Sequence, residues 1–180
     1  MKYCGQCGGP TSLTIPPGDT MLRHVCQHCQ TIHYRNPKIV AGCIPEWKGQ
    51  ILLCKRAIEP RYGKWTFPAG FMENQETIEQ AAIRETLEEA QATITLSHLY
   101  TVFSIPHVSQ VYMTFRGTMN EPAYGVGAES LEVKLFDLAE IPWEDMAFRV
   151  IHETLALYCQ DRETGNFPVH VGTIHPSKKM

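Results

Sequence analysis

The sequence predicts an α/β protein with a small metal-stabilised unit at its N-terminus. Three observations predict it. Two Cys-x-x-Cys pairs lie within the first 30 residues. Short apolar runs with strand character recur from Lys38 to Phe136. Two segments, Gln75–Ala90 and Asp145–Gln160, carry helical character. The chain has 180 residues, with 16 Lys plus Arg against 19 Asp plus Glu, a net charge of −3. That length favours one main domain with an appendage. The mild negative charge argues against bulk nucleic-acid binding.

Residues 1–34 are dense in Cys, Gly, Pro and His and poor in aliphatics, so they cannot build a core of their own. Cys4 and Cys7 form one pair and Cys26 and Cys29 the other, 18 residues apart. Two such knuckles supply the tetrahedral thiolate set that Zn²⁺ prefers. A closed four-thiolate site has no open position, which predicts a structural role. A redox pair would be single and placed at a helix N-terminus. An iron site of the same ligand type stays open from sequence. His24, His28 and His33 read as solvated or capping groups, and Cys43, Cys54 and Cys159 as small buried apolar residues.

The remaining elements follow in order. Lys38–Glu46 and Gln50–Lys55 read as strands joined by a turn at Glu46–Gly49. A loop over 59–63 leads to an extended Trp65–Ala69 that ends at Gly70. Ala92–Phe103, Gln110–Gly117 and Leu131–Phe136 are strand-like, with a loop over Met119–Gly127. The second helix presents Phe148, Ile151, Leu155 and Tyr158 at helical spacing, with Gly165 beyond its end. Phe167–Val171 is a further strand candidate, before a basic tip ending at Met180. The chain shows no secretory signal and no membrane-spanning run, which predicts a cytoplasmic protein without a membrane partner.

The chemistry concentrates on the first helix. Between Glu73 and Glu89 stand six Glu and one Arg. At about 100° per residue, Glu85, Glu88 and Glu89 share one face. Ile83, Leu87 and Ala90 fall on the opposite side, which predicts that they face the core. Ala81 and Ala82 leave room for a ligand over the carboxylates. Carboxylates this close repel unless a positive charge lies among them, and Arg84 neutralises only part. An all-oxygen donor set favours Mg²⁺ or Mn²⁺, and metal-assisted phosphoryl chemistry follows. A solvated acidic helix face is the rival reading.

The spacing decides between them. Gly70, Glu76, Arg84-Glu85 and Glu88-Glu89 match G-x₅-E-x₇-R-E-U-x-E-E-x-G-U, a pattern that resembles the signature of the Nudix hydrolases. Six such positions coincide by chance in about one of 10⁵ sequences of this length. Thr86 stands where a bulky aliphatic is usual, and Gln91 replaces the late Gly. A Cys₄ ribbon directly before such a domain is similar to the group that includes the plant chloroplast FAD and ADP-ribose pyrophosphatase. The SQPWPFP-type segment of NADH pyrophosphatases is absent from residues 103–113.

The resemblance implies an α/β/α sandwich with a mixed sheet over residues 35–180, after a zinc ribbon over 1–34. It implies Glu85, Glu88, Glu89 and the Ala69 carbonyl as Mg²⁺ or Mn²⁺ ligands. Arg84 is implied to pair with Glu76 and Glu88, with Gly70 giving the sharp turn. Glu85, Glu89 and Glu129 are implied as catalytic, with Glu132 the rival to Glu129. The implied activity is hydrolysis of a nucleoside diphosphate derivative, FAD or ADP-ribose foremost, with release of AMP. NADH, a dinucleoside polyphosphate, or non-catalytic nucleotide sensing are the alternatives. The implied partners are a small-molecule nucleotide and no nucleic acid, and a homodimer is common among relatives.

Arg56, Arg61 and Lys64 are candidates to grip phosphates. Trp65, Tyr62 and Phe67 are candidates to stack a flavin or adenine. Phe103, Tyr112 and Phe115 read as core, and His107 as a surface loop residue.

Overall fold

The computed structural model describes residues 1–176. The chain divides after Pro37 into two units. The first holds strands β1 (Thr11–Thr14), β2 (Arg23–Cys26) and β3 (Ile32–His33) in one antiparallel sheet. Its two cysteine knuckles are built alike. Gln6 N–H donates to Cys4 Sγ at 3.3 Å, and His28 N–H donates to Cys26 Sγ at 3.4 Å. The residue after each second cysteine is left-handed, Gly8 at φ 72° and Gln30 at φ 58°.

The second unit is a mixed sheet with a helix on each face. Its strands are β4 (Lys38–Trp47), β5 (Gln50–Arg56), β6 (Trp65–Thr66), β7 (Ala69–Phe71), β8 (Ile94–Ile105), β9 (Gln110–Met119), β10 (Ser130–Phe136) and β11 (His170–Thr173). The order is β10-β5-β4-β9-β8-β11. β4 runs parallel to β9 and β11 parallel to β8, whereas β8 and β9 are antiparallel. Lys48 and Gly49, both at positive φ, make the two-residue turn between β4 and β5. The hairpin pairs only at that end, through Glu46–Ile51 and Trp47–Gln50. Farther along, β6 pairs with β5 and β7 with β4, so residues 65–71 fill the split between them. That split carries the first residues of the motif into the sheet.

Helix α1 (Ile78–Ala90) starts three residues later than the sequence predicts, because Thr77 caps it. Gln80 N–H donates to Thr77 Oγ1 at 3.2 Å and Thr77 N–H donates to Gln80 Oε1 at 2.7 Å, a reciprocal capping box. Helix α2 (Arg149–Thr164) also starts late, after a 3₁₀ turn at Trp143–Asp145, and ends at Gly165 in the left-handed region. It packs Ile151, Leu155 and Tyr158 onto the sheet face formed by Val40, Ile44, Phe67 and Tyr112. The last strand falls at His170–Thr173, beyond the predicted 167–171. The basic tip lies outside the described residues. No helix among the described residues is long and apolar enough to cross a membrane.

The wheel reading of α1 is corrected by the structure. Ile83 and Leu87 are 41% and 51% exposed, while Ala81, Ala82, Thr86, Glu89 and Ala90 are buried. The small side chains let the helix lie close against Ala41 and Phe115 of the sheet. Close approach buries more contact than two aliphatics on the outer face could recover, and it draws the carboxylates inward. Thr86 is fully buried and donates its hydroxyl to the Ala82 carbonyl at 2.8 Å, so it fits an aliphatic's place without an unpaired group.

Candidate active site

The site is assembled at the split in the sheet. Gly70 lies directly against Glu85: a Cβ there would fall 2.3 Å from the Glu85 carboxyl. Glu89 reaches under the loop, and its Oε2 accepts the Ala69 N–H at 3.1 Å. Glu89 is buried and makes no ion pair among the described residues. Burial, with the nearby Glu85 carboxylate adding to it, pushes its carboxyl up to about 8. Burial likewise raises Glu85, against the lowering effect of Arg84.

Arg84 ties the cluster together. It donates to Glu76 at 2.8 and 3.0 Å, to Glu85 at 2.7 Å, to Glu88 at 3.0 Å and to the Phe71 carbonyl at 3.1 Å. The guanidinium beside Glu76 holds that carboxyl down at about 2. One planar fork thus joins the loop to the helix, a geometry that lysine cannot reproduce.

The end of α1 brings in the last carboxylate. Gln91 adopts φ 48° where the pattern has glycine, and its Nε2 donates to the Val126 carbonyl at 3.0 Å. Gly125 N–H donates to the Ala90 carbonyl, and Gly127 N–H and the Ser130 hydroxyl both donate to the Glu89 carbonyl. These bonds satisfy the helix's open carbonyls and seat the 125–130 loop on its end. A Cβ at Gly127 would collide with the Glu88 carbonyl at 1.8 Å. The loop presents Glu129, which acts electrostatically on both Glu85 and Glu89. Glu132 instead faces Lys55 at 3.7 Å.

The three basic candidates are placed differently. Arg56 is only 9% exposed, donates through Nε to the Pro60 carbonyl at 3.0 Å and lies over the Phe148 ring. It makes no ion pair among the described residues, yet its charge is felt at Glu89. Arg61 stays exposed on its loop at φ 70°. Lys64 is taken by Asp145 at 2.6 Å. Trp65 is 8% exposed and packs edge-on against Phe136, and Phe67 is fully buried, so neither presents a stacking face. Trp65, paired with Lys55 through β6, and Phe67, just beyond it, both lie in the core, where the sequence offers them as stacking candidates. Tyr62 and His107 are exposed.

The four cysteine Sγ atoms lie within 4.8 Å of one another, with Cys4–Cys29 at 3.8 Å and Cys7–Cys26 at 3.5 Å. A tetrahedron with Zn–S bonds of about 2.3 Å has edges of about 3.8 Å, so the thiolates fit that ion. His33 Nε2 stands 3.2 Å from Cys4 Sγ, beside the set rather than part of it. The glutamate oxygens are spread more widely. They suit a hard dication that keeps water and takes further ligands from a phosphate. The oxygen of Glu89 not bonded to Ala69 is the open donor.

A mixed sheet between two helices, with carboxylates gathered on a loop–helix–loop and a cysteine ribbon ahead of it, defines a two-unit metal-binding hydrolase architecture. The chain belongs to the Nudix hydrolase family: the NUDIX domain model matches residues 36–156, and the Nudix N-terminal zinc-ribbon model matches residues 2–35. A Nudix hydrolase from Nitrosomonas europaea is 56% identical, with a TM-score of 0.95 over 98% of this chain and 100% of that one. The NAD-capped RNA hydrolase NudC of Salmonella heidelberg is 36% identical over 85 residues, 47% of this chain and 31% of that protein. The match thus spans about a third of the curated relative's length. An ADP-ribose pyrophosphatase from Streptococcus suis shares the fold at a TM-score of 0.63 and 16% identity, over 76% of this chain and 99% of that one.

Proposed function

We propose that this chain hydrolyses the diphosphate bond of a nucleoside diphosphate derivative, FAD or ADP-ribose foremost, and releases AMP. The observation that carries this reading is Glu89, a buried carboxylate with Glu85 beside it and no cation paired to it among the described residues. A protein holds such a group when a dication and an anionic ligand complete the site. Glu85, Glu88 and Glu89, with the Ala69 carbonyl, are the residues to hold Mg²⁺ or Mn²⁺. Bound there, the ion supplies charge neutralisation at phosphate oxygens and acidifies a water.

The chain's own residues do the rest. Arg84 fixes the helix against the loop, so Glu85 and Glu88 keep their aim. Arg56, a buried guanidinium with free donors, grips a phosphate oxygen. Glu129 or Glu85 takes the proton from the attacking water. The ribbon holds zinc and contributes stability rather than chemistry.

A NAD-type dinucleotide is the second reading, favoured by the similarity to NudC over 85 residues. The test is incubation with FAD, ADP-ribose, NADH, a diadenosine polyphosphate and NAD-capped RNA, with Mg²⁺ or Mn²⁺ and product identification. AMP from FAD or ADP-ribose is expected. Turnover confined to the NAD-type substrates selects the second reading, and no cleavage of any substrate defeats both.

A further inference from the structure

The buried cysteines of the ribbon ask more of their surroundings than the exposed ones do. Four thiolates around Zn²⁺ carry a double negative charge. Cys7 and Cys29 are exposed, so water reaches their sulfurs, whereas Cys4 and Cys26 are buried and depend on donors from the protein. At Cys26 the backbone supplies two. The N–H groups of His28 and Cys29 both donate to its Sγ at 3.4 Å. The first knuckle repeats only half of this. Gln6 N–H donates to Cys4 Sγ at 3.3 Å, but the N–H of Cys7, the counterpart of Cys29, makes no such bond among the described residues.

A side chain takes the second place at Cys4. His33 is half-buried, and its Nε2 stands 3.2 Å from Cys4 Sγ. The sheet register puts it there. β3 pairs with β2 through Val25–Ile32 and His24–His33, and Cys26 N–H donates to the Thr31 carbonyl at 2.9 Å. A zinc-bound thiolate has no proton to give. Contact with a ring nitrogen at this distance is then favourable in one direction only, with the hydrogen on Nε2. The Thr31 hydroxyl, by contrast, has one proton for two acceptors, Cys29 Sγ at 3.1 Å and Gln6 Oε1 at 3.1 Å, and it serves an exposed sulfur.

We infer that His33 is a positioning residue of the zinc centre, whose Nε2–H donates to the Cys4 thiolate and supplies the second hydrogen bond that the backbone supplies at Cys26. It is no fifth ligand, because the four sulfurs already form the set. The bond offsets charge that a buried sulfur cannot share with water, and it holds Cys4 in the orientation that meets the ion. The sequence reads only a solvated or capping group at His33. The inference rests on the ribbon holding zinc and is independent of which diphosphate the second unit cleaves.

The test compares the full chain with His33→Phe, which keeps a ring and has no donor, and with His33→Gln, whose amide nitrogen also donates. Zinc affinity is measured by competition with a chromophoric chelator. It falls roughly 10- to 100-fold in the Phe variant, the range for partners that hold a metal ligand, and recovers in the Gln variant. The second readout is optical. Co²⁺ bound in place of zinc shows a sulfur-to-metal charge-transfer band. A thiolate without its N–H donor gives up charge more readily, so the band moves to lower energy in the Phe variant and returns in the Gln variant. Parent-like affinity in the Phe variant overturns the inference. Weakened affinity with an unmoved band also overturns it, since the ring then acts by packing, and so does a Gln variant that restores neither readout. If the Phe variant takes up no metal, the Gln variant decides: zinc held with the parent's band supports the donor, and zinc lost overturns it. A parent that holds no zinc by elemental analysis and gives no cobalt spectrum defeats the zinc reading of the ribbon and this inference with it. A zinc-loaded parent beside an unaltered Phe variant defeats the inference alone.

Discussion

Glu89→Gln separates what this carboxylate costs the fold from what it does for the site. An ordinary glutamate titrates near 4.5, and Glu89 in the metal-free fold is pushed up to about 8. The folded state therefore holds this proton more tightly than the unfolded chain does. The contribution of this group to stability is full below pH 4.5, declines as pH rises, and is fully lost above about 8. At pH 8 the cost is on the order of 4 kcal/mol. Glutamine accepts the Ala69 N–H with the same geometry and carries no charge. Its buried amide returns about half of that gain as desolvation, so a net stabilisation of about 2 kcal/mol is expected. The assay is urea unfolding of protein dialysed free of Mg²⁺ and Mn²⁺, followed by tryptophan fluorescence. Trp47, Trp65 and Trp143 all lie beyond Pro37, so the signal reports the second unit. The variant's midpoint should exceed the parent's by about 1 M at pH 8, and the two should cross at about pH 6, with the parent the more stable below it. Added Mg²⁺ should stabilise the parent and not the variant, and turnover should be lost. A variant less stable than the parent at pH 8 without metal, or one stabilised equally by Mg²⁺, would refute the reasoning.

Three further outcomes are expected. Gly70→Ala places a methyl 2.3 Å from the Glu85 carboxyl and displaces it; kcat should fall at least about 100-fold with a small change in unfolding temperature, and near-parental kcat would show that Glu85 tolerates the shift. Gln91→Ala keeps the left-handed strain at φ 48° and removes the bond to Val126, whereas Gln91→Gly relieves the strain; chemical unfolding should rank glycine above alanine by about 1 kcal/mol, and equal stability would contradict this account of the helix end. Cys26→Ser should release zinc, measured by elemental analysis, and lower stability, while folded protein keeps its turnover per molecule; a folded variant without turnover would make the ribbon part of the chemistry.

The outer Ile83 and Leu87 show what a helical wheel can and cannot tell. Periodicity places Glu85, Glu88 and Glu89 together because 100° per residue is a property of the backbone alone. It does not say which side meets the sheet. That depends on Ala81 and Ala82 matching Ala41 across the interface, a fit between segments 40 residues apart. Trp65 and Phe67 illustrate the same point on a strand. Their position after a loop suggested a binding face, but both are buried, Trp65 where β6 pairs with β5 and Phe67 just beyond it.

Several local codes were legible in the sequence: two cysteine knuckles, the glycine-to-glutamate spacing, the turn at Lys48–Gly49 and the stop at Gly165. Each depends on neighbours along the chain, and backbone geometry translates it directly. Burial of Glu89, burial of Arg56 and seating of the 125–130 loop that brings in Glu129 were decided by tertiary structure alone. They arise where strands distant in sequence split apart and let a loop and a helix end pack into the gap, and no local pattern records that packing.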